Sequence, residues 1–392
     1  MLTRSGWAVA ISSGGLVLAG RLFGIFELFL AGAGGAALLL GATVAVRNAK
    51  LRLEVSRELH PGRVHAGSPS RVELRVRNRG NRRTPLLALK DPVGKSRSAR
   101  VVLAPLGVAE AVRASYRLPT EERGILRVGP LEVEVSDPFG LVALRTDGAP
   151  QTELTVWPAV DEVSPVPHTQ GDDPHGGADH PSPLAANGDD FYALRPYVVG
   201  DDLRRVHWRS TARRDQLMVR QDEMPWQGRA TVLLDTRRVA HSGATFERAV
   251  SAAASIIVAT ARHHFLLRLV TTAGHDTGFA AGSSHVEGIL EHLAAVRVVE
   301  AGRLPTLVAA LHRPGNGGAL AALVGGRTGT ELDSLGVLRT SFGRMVTLAF
   351  ADGHADRARL GTIPELVVVD DRTSFPEAWD LALRSRSRLV RS

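Results

Sequence analysis

Two apolar runs at the amino terminus constrain this chain more than any other feature of its sequence. Residues 5–20 and 28–46 carry no charged side chain, and only Arg21 and Glu27 interrupt the stretch with a charge. A helix needs about 20 residues to cross the hydrocarbon of a bilayer, so the second run is long enough and the first is at the lower limit. The two runs therefore predict a transmembrane helical hairpin over residues 1–50.

A cleavable signal peptide is the alternative, because Arg4 followed by a short apolar stretch is typical of one. The second apolar run favours the hairpin, since a secreted protein would not need it. Arg4 precedes the first run, and Arg47, Lys50 and Arg52 follow the second. Basic residues at both outer ends predict a multi-pass protein of the inner membrane whose soluble part faces the cytoplasm.

The composition excludes some kinds of chemistry but does not identify a binding partner. The 392 residues carry a net charge of +8, are 44% apolar and 22% charged, and include no cysteine. Disulfides, thiol nucleophiles and cysteine-ligated metal sites are therefore excluded. The length indicates two or three domains, and the positive charge suits an anionic membrane surface, nucleic acid or an acidic partner.

Residues 51–160 have the pattern of short β-strands. The stretches 71–77 and 131–135 alternate apolar with charged side chains, and residues 153–160 read as a further strand. Such alternation is typical of strands with one buried face, and several strands at close spacing without a long helical pattern indicate a β-sandwich. Residues 161–190 break the pattern.

That region is rich in Pro, Gly and Asp and lacks any apolar period, which predicts a linker or mobile loop. His168, His175 and His180 lie among aspartates here and could suggest a metal site. Metal ligands need rigid elements to hold them, so a solvated linker is the preferred interpretation.

From residue 229 to 392, apolar strands alternate with helical patterns. The stretch 230–236 is a near-continuous apolar strand that ends at Asp235, and residues 246–264 have the period of a helix. Strands that are apolar throughout and alternate with helices indicate a doubly wound α/β domain, with a mostly parallel sheet covered on both faces. Ligands of such sheets gather at the carboxyl ends of the strands, where Asp235 lies.

Charge is concentrated in the segment 191–228, which we call the signature segment. Its spaced residues form a pattern at Tyr197, Gly200, Asp201, Arg204, Val206, Trp208, Ala212 and Arg213, with Arg209 inside it. A second motif, Asp-Pro-Phe-Gly-Leu, stands at 137–141. Together these motifs resemble a bacterial family catalogued as domain of unknown function 58. His207 departs from it, because the family more often has a carboxylate at that position.

The resemblance implies that the last domain is von Willebrand factor A-like. Such domains often bind Mg²⁺ through an Asp-x-Ser-x-Ser motif after the first strand. Asp235 holds the first position, but Arg237 and Val239 stand where the serines should be, and the strand before Gly325 and Gly326 ends without a carboxylate. Asp235 is therefore expected to be the remnant of a metal site, paired with an arginine, and no metal is expected.

The resemblance also implies a partner, since the family is commonly linked with MoxR-type AAA ATPases. We therefore expect a membrane-anchored adaptor that presents unknown protein clients to such an ATPase. No enzymatic activity and no cofactor are expected.

Three interpretations of the signature segment remain. In the preferred one it is a structural clasp, a helix capped by Asp201 with Trp208 in the core and Arg205, Arg209 and Arg213 in ion pairs. In the second, the arginines line a surface for an acidic partner or a phosphate. In the third, Asp201 and His207 form an acid/base pair of a hydrolase.

Nucleic-acid binding is the rival function, and it rests on the positive charge. The sequence has no zinc-finger, RNA-recognition or basic-zipper pattern, and its arginines are spread along the chain. Nucleic acid is therefore not the expected partner.

Overall fold

The computed structural model describes residues 2–48, 52–167, 191–197, 206–214, 216–222, 228–300, 302–313, 316–353, 356, 360 and 366–384. Its contacts divide the chain into two compact units, Met1–Trp157 and Pro158–Ser392. The apolar hairpin therefore belongs with the strands that follow it, and the signature segment belongs with the α/β part.

The first unit begins with two helices, α1 (Arg4–Phe23) and α2 (Phe26–Asn48). Both are long and apolar enough to cross a membrane. Glycines let them approach closely, because a β-carbon on Gly32 or Gly35 would lie 2.7 or 2.2 Å from atoms of Ser13. These helices have the length and composition of a membrane anchor.

The rest of the first unit consists of ten strands: β1 (Leu53–His60), β2 (Arg63–His65), β3 (Arg71–Asn78), β4 (Leu87–Val93), β5 (Arg97–Leu103), β6 (Ala111–Arg117), β7 (Gly124–Val128), β8 (Leu131–Ser136), β9 (Ala143–Ala149) and β10 (Thr152–Trp157). A three-stranded sheet has the order β1-β3-β6, and a seven-stranded sheet has the order β2-β10-β7-β4-β8-β9, with β5 beside β4. Buried residues of both sheets form one apolar cluster, as the alternating patterns predict.

A buried ion pair joins the two sheets. Arg57 of β1 donates to Asp91 of β4 at 2.7 Å, and both side chains are 1% exposed. Tyr116 of β6 donates to the other carboxylate oxygen at 2.7 Å. Burial and the hydrogen bond to Asp91 raise the pKa of Tyr116 far above its usual value, so the phenol stays protonated.

The second unit contains β11 (Phe191–Pro196), α3 (Trp208–Arg214), β12 (Met218–Asp222), β13 (Arg229–Leu234), α4 (Gly243–Ala261), β14 (Leu266–Thr271), α5 (Ser283–Ala295), α6 (Leu304–Leu311), β15 (Ala319–Gly325), a 3₁₀-helix (Gly326–Thr340), β16 (Arg344–Phe350), β17 (Leu366–Val369) and α7 (Phe375–Arg384). Its main sheet is parallel, in the order β14-β13-β15-β16-β17. Every residue of β15 is buried, so both faces of this sheet are covered. Two isolated antiparallel bridges, Leu267 with Ala280 and Val270 with Asp276, extend the edge beyond β14.

Helix α4 meets the length and apolarity of a membrane span, but 67% of it is buried inside the second unit. A chain segment predicted to be linker runs along it. Asp161 N donates to Ser255 Oγ at 2.9 Å, and Val166, which is 2% exposed, donates through its backbone to Thr260 Oγ1. Residues 161–167 form neither helix nor strand, and hydroxyl groups on α4 bind their backbone at Asp161 and Val166. His168, His175 and His180 lie outside the described residues.

Candidate functional site

The carboxyl edge of the parallel sheet is the first candidate site, because ligands of such sheets collect there. The apolar strand β13 ends at Asp235, which is fully buried. Arg237 Nη2 lies 2.7 Å from Asp235 Oδ2, and Arg237 Nε donates to Asp235 Oδ1 at 2.9 Å. Thr272 Oγ1 also donates to Oδ1, at 3.1 Å. The predicted ion pair of Asp235 is thus present, and arginine engages both carboxylate oxygens.

Arg237 is held from two sides. Its guanidinium also bonds Glu331 of the 3₁₀-helix. Burial alone would lower the pKa of Arg237, but hydrogen bonds and charge from Asp235 and Glu331 outweigh that effect and raise it. The group is therefore a permanent cation beside the one acid that the metal motif retains.

These residues do not fit Mg²⁺. A hard cation needs several oxygen ligands, and here a guanidinium fills the space next to Asp235. Gly325 at the end of β15 cannot be replaced by an acid, because a β-carbon there would lie 2.0 Å from the carbonyl oxygen of Ala240. Among the described residues, no group of three His, Asp or Glu side chains could hold a metal ion.

Two other acids near this edge, Asp352 and Asp356, also lie beside arginines. Arg248 of α4 donates to Asp352, which follows β16, at 2.7 Å, and Ser242, the N-cap of α4, bonds the same carboxylate. Arg327 lies 3.8 Å from Asp356. Asp352 could not be assigned to the site from the sequence, because the metal motif predicts a second acid after β15 and this acid follows β16, the next strand along the sheet.

His241 lies beside this cluster and is 3% exposed. Its Nδ1 lies 3.3 Å from Thr245 Oγ1. Burial lowers the pKa of His241 to about 4, although Asp235 acts in the opposite direction. The imidazole is therefore neutral at pH 7 and adds no charge to the edge.

The signature segment is the second candidate site. β11 and β12 pair antiparallel, and Tyr197 N donates to Leu217 O at 2.8 Å. Gly200, Asp201 and Arg204 lie outside the described residues, as does Arg205, and only the backbone of Arg209 is described. The site residues whose side chains can be placed are therefore Tyr197, Trp208 and Arg213.

The helix of this segment begins later than predicted. The sequence predicts a helix cap at Asp201, but α3 starts at Trp208 and His207 precedes it. His207 N donates to Met218 O at 2.7 Å, so the backbone there is held beside β12 and is not helical. His207 Nδ1 accepts from Ser210 N at 3.3 Å and lies 2.8 Å from Ser210 Oγ, which satisfies the first turn of the helix.

Trp208 does not lie in the core. Its side chain is 66% exposed, and the prediction that it is buried is wrong. Val206 and Met218 take the buried positions instead, at 6% and 2% exposure. Because His207 caps α3, Trp208 is the first helical residue and its ring extends into solvent. Arg213, one and a half turns along, is also exposed.

Comparison with known proteins gives a family for this segment. No curated protein matches the chain. Among solved structures, the CARDB domain of a Pyrococcus furiosus protein in complex with di-metal ions is 17% identical with a TM-score of 0.22, over 27% of this chain and 93% of that one. A β-glucosidase from Listeria innocua is 15% identical with a TM-score of 0.17, over 26% of this chain and 16% of that one.

Likenesses with TM-scores this low carry no information about function. The family model described as "Protein of unknown function DUF58" matches residues 193–353, from the signature segment to the carboxyl edge of β16. The resemblance stated from the motifs is confirmed over residues 193–353, where the chain matches the DUF58 family model.

Proposed function

We propose that this chain is a membrane-anchored, non-enzymatic adaptor that works with a MoxR-type AAA ATPase in the assembly or remodelling of client or envelope complexes. The observation that carries the proposal is the exposure of Trp208 on α3, inside the region that matches the family. An exposed tryptophan costs solvation free energy, and tryptophan and arginine are the residues that most often dominate protein interfaces.

The electrostatics of the segment favour an acidic partner surface. Trp208 and Arg213 are both exposed on one short helix, so the segment presents an apolar side chain and a cationic side chain within about one and a half turns. A partner that offers a pocket rimmed by carboxylates would satisfy both. Because the ring of Trp208 is exposed, we now prefer the interpretation of the signature segment as an interaction surface over the structural clasp.

The α/β part supports binding over catalysis. We propose that it is von Willebrand factor A-like, and its parallel sheet with a short antiparallel edge beyond β14 is compatible with such a doubly wound fold. Asp235 and Asp352 are bound by Arg237 and Arg248, so neither is poised as a general base or metal ligand. His207 is engaged as a helix cap, which disfavours the acid/base pair with Asp201.

We further propose that the soluble part faces the cytoplasm, because Arg4 and Arg47 flank the outer ends of the hairpin. Protease added to sealed, right-side-out cells should leave residues beyond 50 uncut, because the membrane separates them from the enzyme. The same protease added to inverted membrane vesicles should digest them. Digestion in intact cells would rule out this orientation.

The adaptor function predicts a stable complex in native membranes. The tagged full chain, extracted in mild detergent with a non-hydrolysable ATP analogue, should retain a MoxR-type AAA ATPase in an amount comparable with its own. Mass spectrometry of the bound fraction identifies it, and a second tagged hairpin protein from the same membranes serves as control. Recovery of the chain without such an ATPase, under conditions that keep it folded, contradicts the proposal.

A further inference from the structure

The motif Asp-Pro-Phe-Gly-Leu forms a rigid turn between β8 and β9. Asp137 is 6% exposed, and its carboxylate accepts hydrogen bonds from Phe139 N at 2.8 Å and Val142 N at 2.6 Å. Gly140 has a φ of 64°, in the left-handed region that favours glycine. The turn therefore holds its shape through its own side chain and backbone.

The membrane hairpin packs against this turn. Thr3, the N-cap of α1, donates through Oγ1 to Gly140 O at 2.6 Å and through its backbone to Leu141 O at 2.9 Å. A β-carbon on Gly6 would lie 2.1 Å from Leu141 O, so the first turn of α1 rests directly on the motif.

The carboxyl end of α2 reaches the same place. Leu141 and Val142 form a buried cluster with Ala42 and Val46 of α2. The turn thus contacts both outer ends of the hairpin, which lie on the same side because the two helices run antiparallel.

The length of the helices determines the depth at which the turn lies relative to a bilayer. The 20 residues of α1 rise about 30 Å, the thickness of the hydrocarbon core, so Thr3 lies close to the lipid headgroups. Phe139, at the tip of the turn, is 66% exposed, and Trp7, one turn into α1, is 58% exposed. Arg4 and Arg47 are exposed at the same end. Aromatic and basic side chains of this kind are typical of the membrane interface.

We propose that the turn 137–141 is a lipid-contacting element, in which Phe139 inserts at the boundary of headgroups and acyl chains beside Trp7. The ligand is the phospholipid interface on the side of the soluble part. The contact fixes the sandwich against the bilayer surface and adds to the anchor that the two helices provide. This proposal requires that the two helices anchor the chain in a membrane, and it does not require the ATPase partner.

The absence of cysteine from the chain allows a clean test. Phe139→Cys in the full chain gives a single site for an environment-sensitive fluorophore, and Ile125→Cys is the matched control, since Ile125 is 53% exposed. Ile125 lies at the opposite end of the same sheet from the turn. The strand that leads into the turn, β8, pairs with β4 at Leu87, whereas the strand that contains Ile125, β7, pairs with β4 at Val93. The two ends are about 20 Å apart.

Both labelled proteins are reconstituted into phosphatidylethanolamine and phosphatidylglycerol vesicles, with and without bromine on the upper acyl chain. We expect the label at 139 to have blue-shifted emission and to have most of its fluorescence quenched by brominated lipid. The label at 125 should show neither the shift nor the quenching. Equal behaviour of the two labels overturns the proposal. A label at 139 that is shielded from water but not quenched by brominated lipid also overturns it, since a protein then covers the turn.

Discussion

Asp91→Ala should destabilise the unit Met1–Trp157 by about 3–5 kcal/mol in the free energy of unfolding, the usual cost of leaving a buried charge without its partner. Arg57 and Asp91 are each 1% exposed, and Arg57 also donates to Thr152 Oγ1 at 3.0 Å. Removal of the carboxylate leaves the guanidinium buried and takes away the acceptor of the Tyr116 hydroxyl. The arginine cannot reach water without opening the space between the sheets.

Thermal unfolding of the full chain in detergent measures this effect. A loss of this size lowers the unfolding temperature of a unit of this length by roughly 10 °C. Glu153→Ala is the matched control, because it removes an ion pair with Arg127 in which both side chains are at least half exposed. Such exposed pairs contribute about 1 kcal/mol or less. If the two variants unfold at the same temperature, the buried pair does not have the role assigned to it.

Trp379→Ala should destabilise the second unit by about 3–5 kcal/mol, the range for truncating a buried large aromatic side chain. Trp379 on α7 is fully buried, and its Nε1 donates to Ser164 O at 2.8 Å. The substitution therefore leaves a cavity beneath α7 and removes a contact that holds the segment before residue 168.

Trp208→Ala is the matched control for this variant. It removes a side chain of the same size from the same unit, but that side chain is 66% exposed, so the change in stability should stay within about 0.5 kcal/mol. The two melting curves are compared in the same detergent. A large loss for Trp208→Ala, equal to that for Trp379→Ala, would restore the structural clasp as the better interpretation.

Much of the fold could be predicted because its signals are local. The uncharged runs give the hairpin, and strict alternation gives strands such as β3 and β8, whose buried residues face one core. The continuous apolar runs of β13 and β15 give a parallel sheet, since only a sheet covered on both faces buries every side chain. Periodicity also placed α4 to within a few residues.

The signature segment shows where local reasoning fails. A helix drawn from Asp201 puts the arginines on one stripe and allows Trp208 to be buried. The backbone bond from His207 to Met218 prevents that helix, and Met218 is not near His207 in the sequence. Propensity and spacing cannot reveal a pairing of this kind, which moves the start of the helix and reverses the exposure of the tryptophan.

The same limit applies to pairs that are distant in sequence. Arg57, Asp91 and Tyr116 each look like ordinary strand residues, and only the packing of two sheets brings them together. Phe139 reads as part of a family motif, but nothing in the motif says that the preceding helices end beside it. The ion pair of Asp235 could be predicted, because its partner Arg237 is two residues away.

The affinity of a purified MoxR-type ATPase for this chain tests the central claim most directly. The full chain, reconstituted in nanodiscs, is compared with Trp208→Ala and with Leu381→Ala, a control in the same unit whose side chain is 58% exposed. We predict binding by the wild type, a loss of at least about 30-fold for Trp208→Ala, as for an interface residue worth 2 kcal/mol, and no change for Leu381→Ala. Wild-type affinity in Trp208→Ala, or no binding by the wild type itself, would contradict the account.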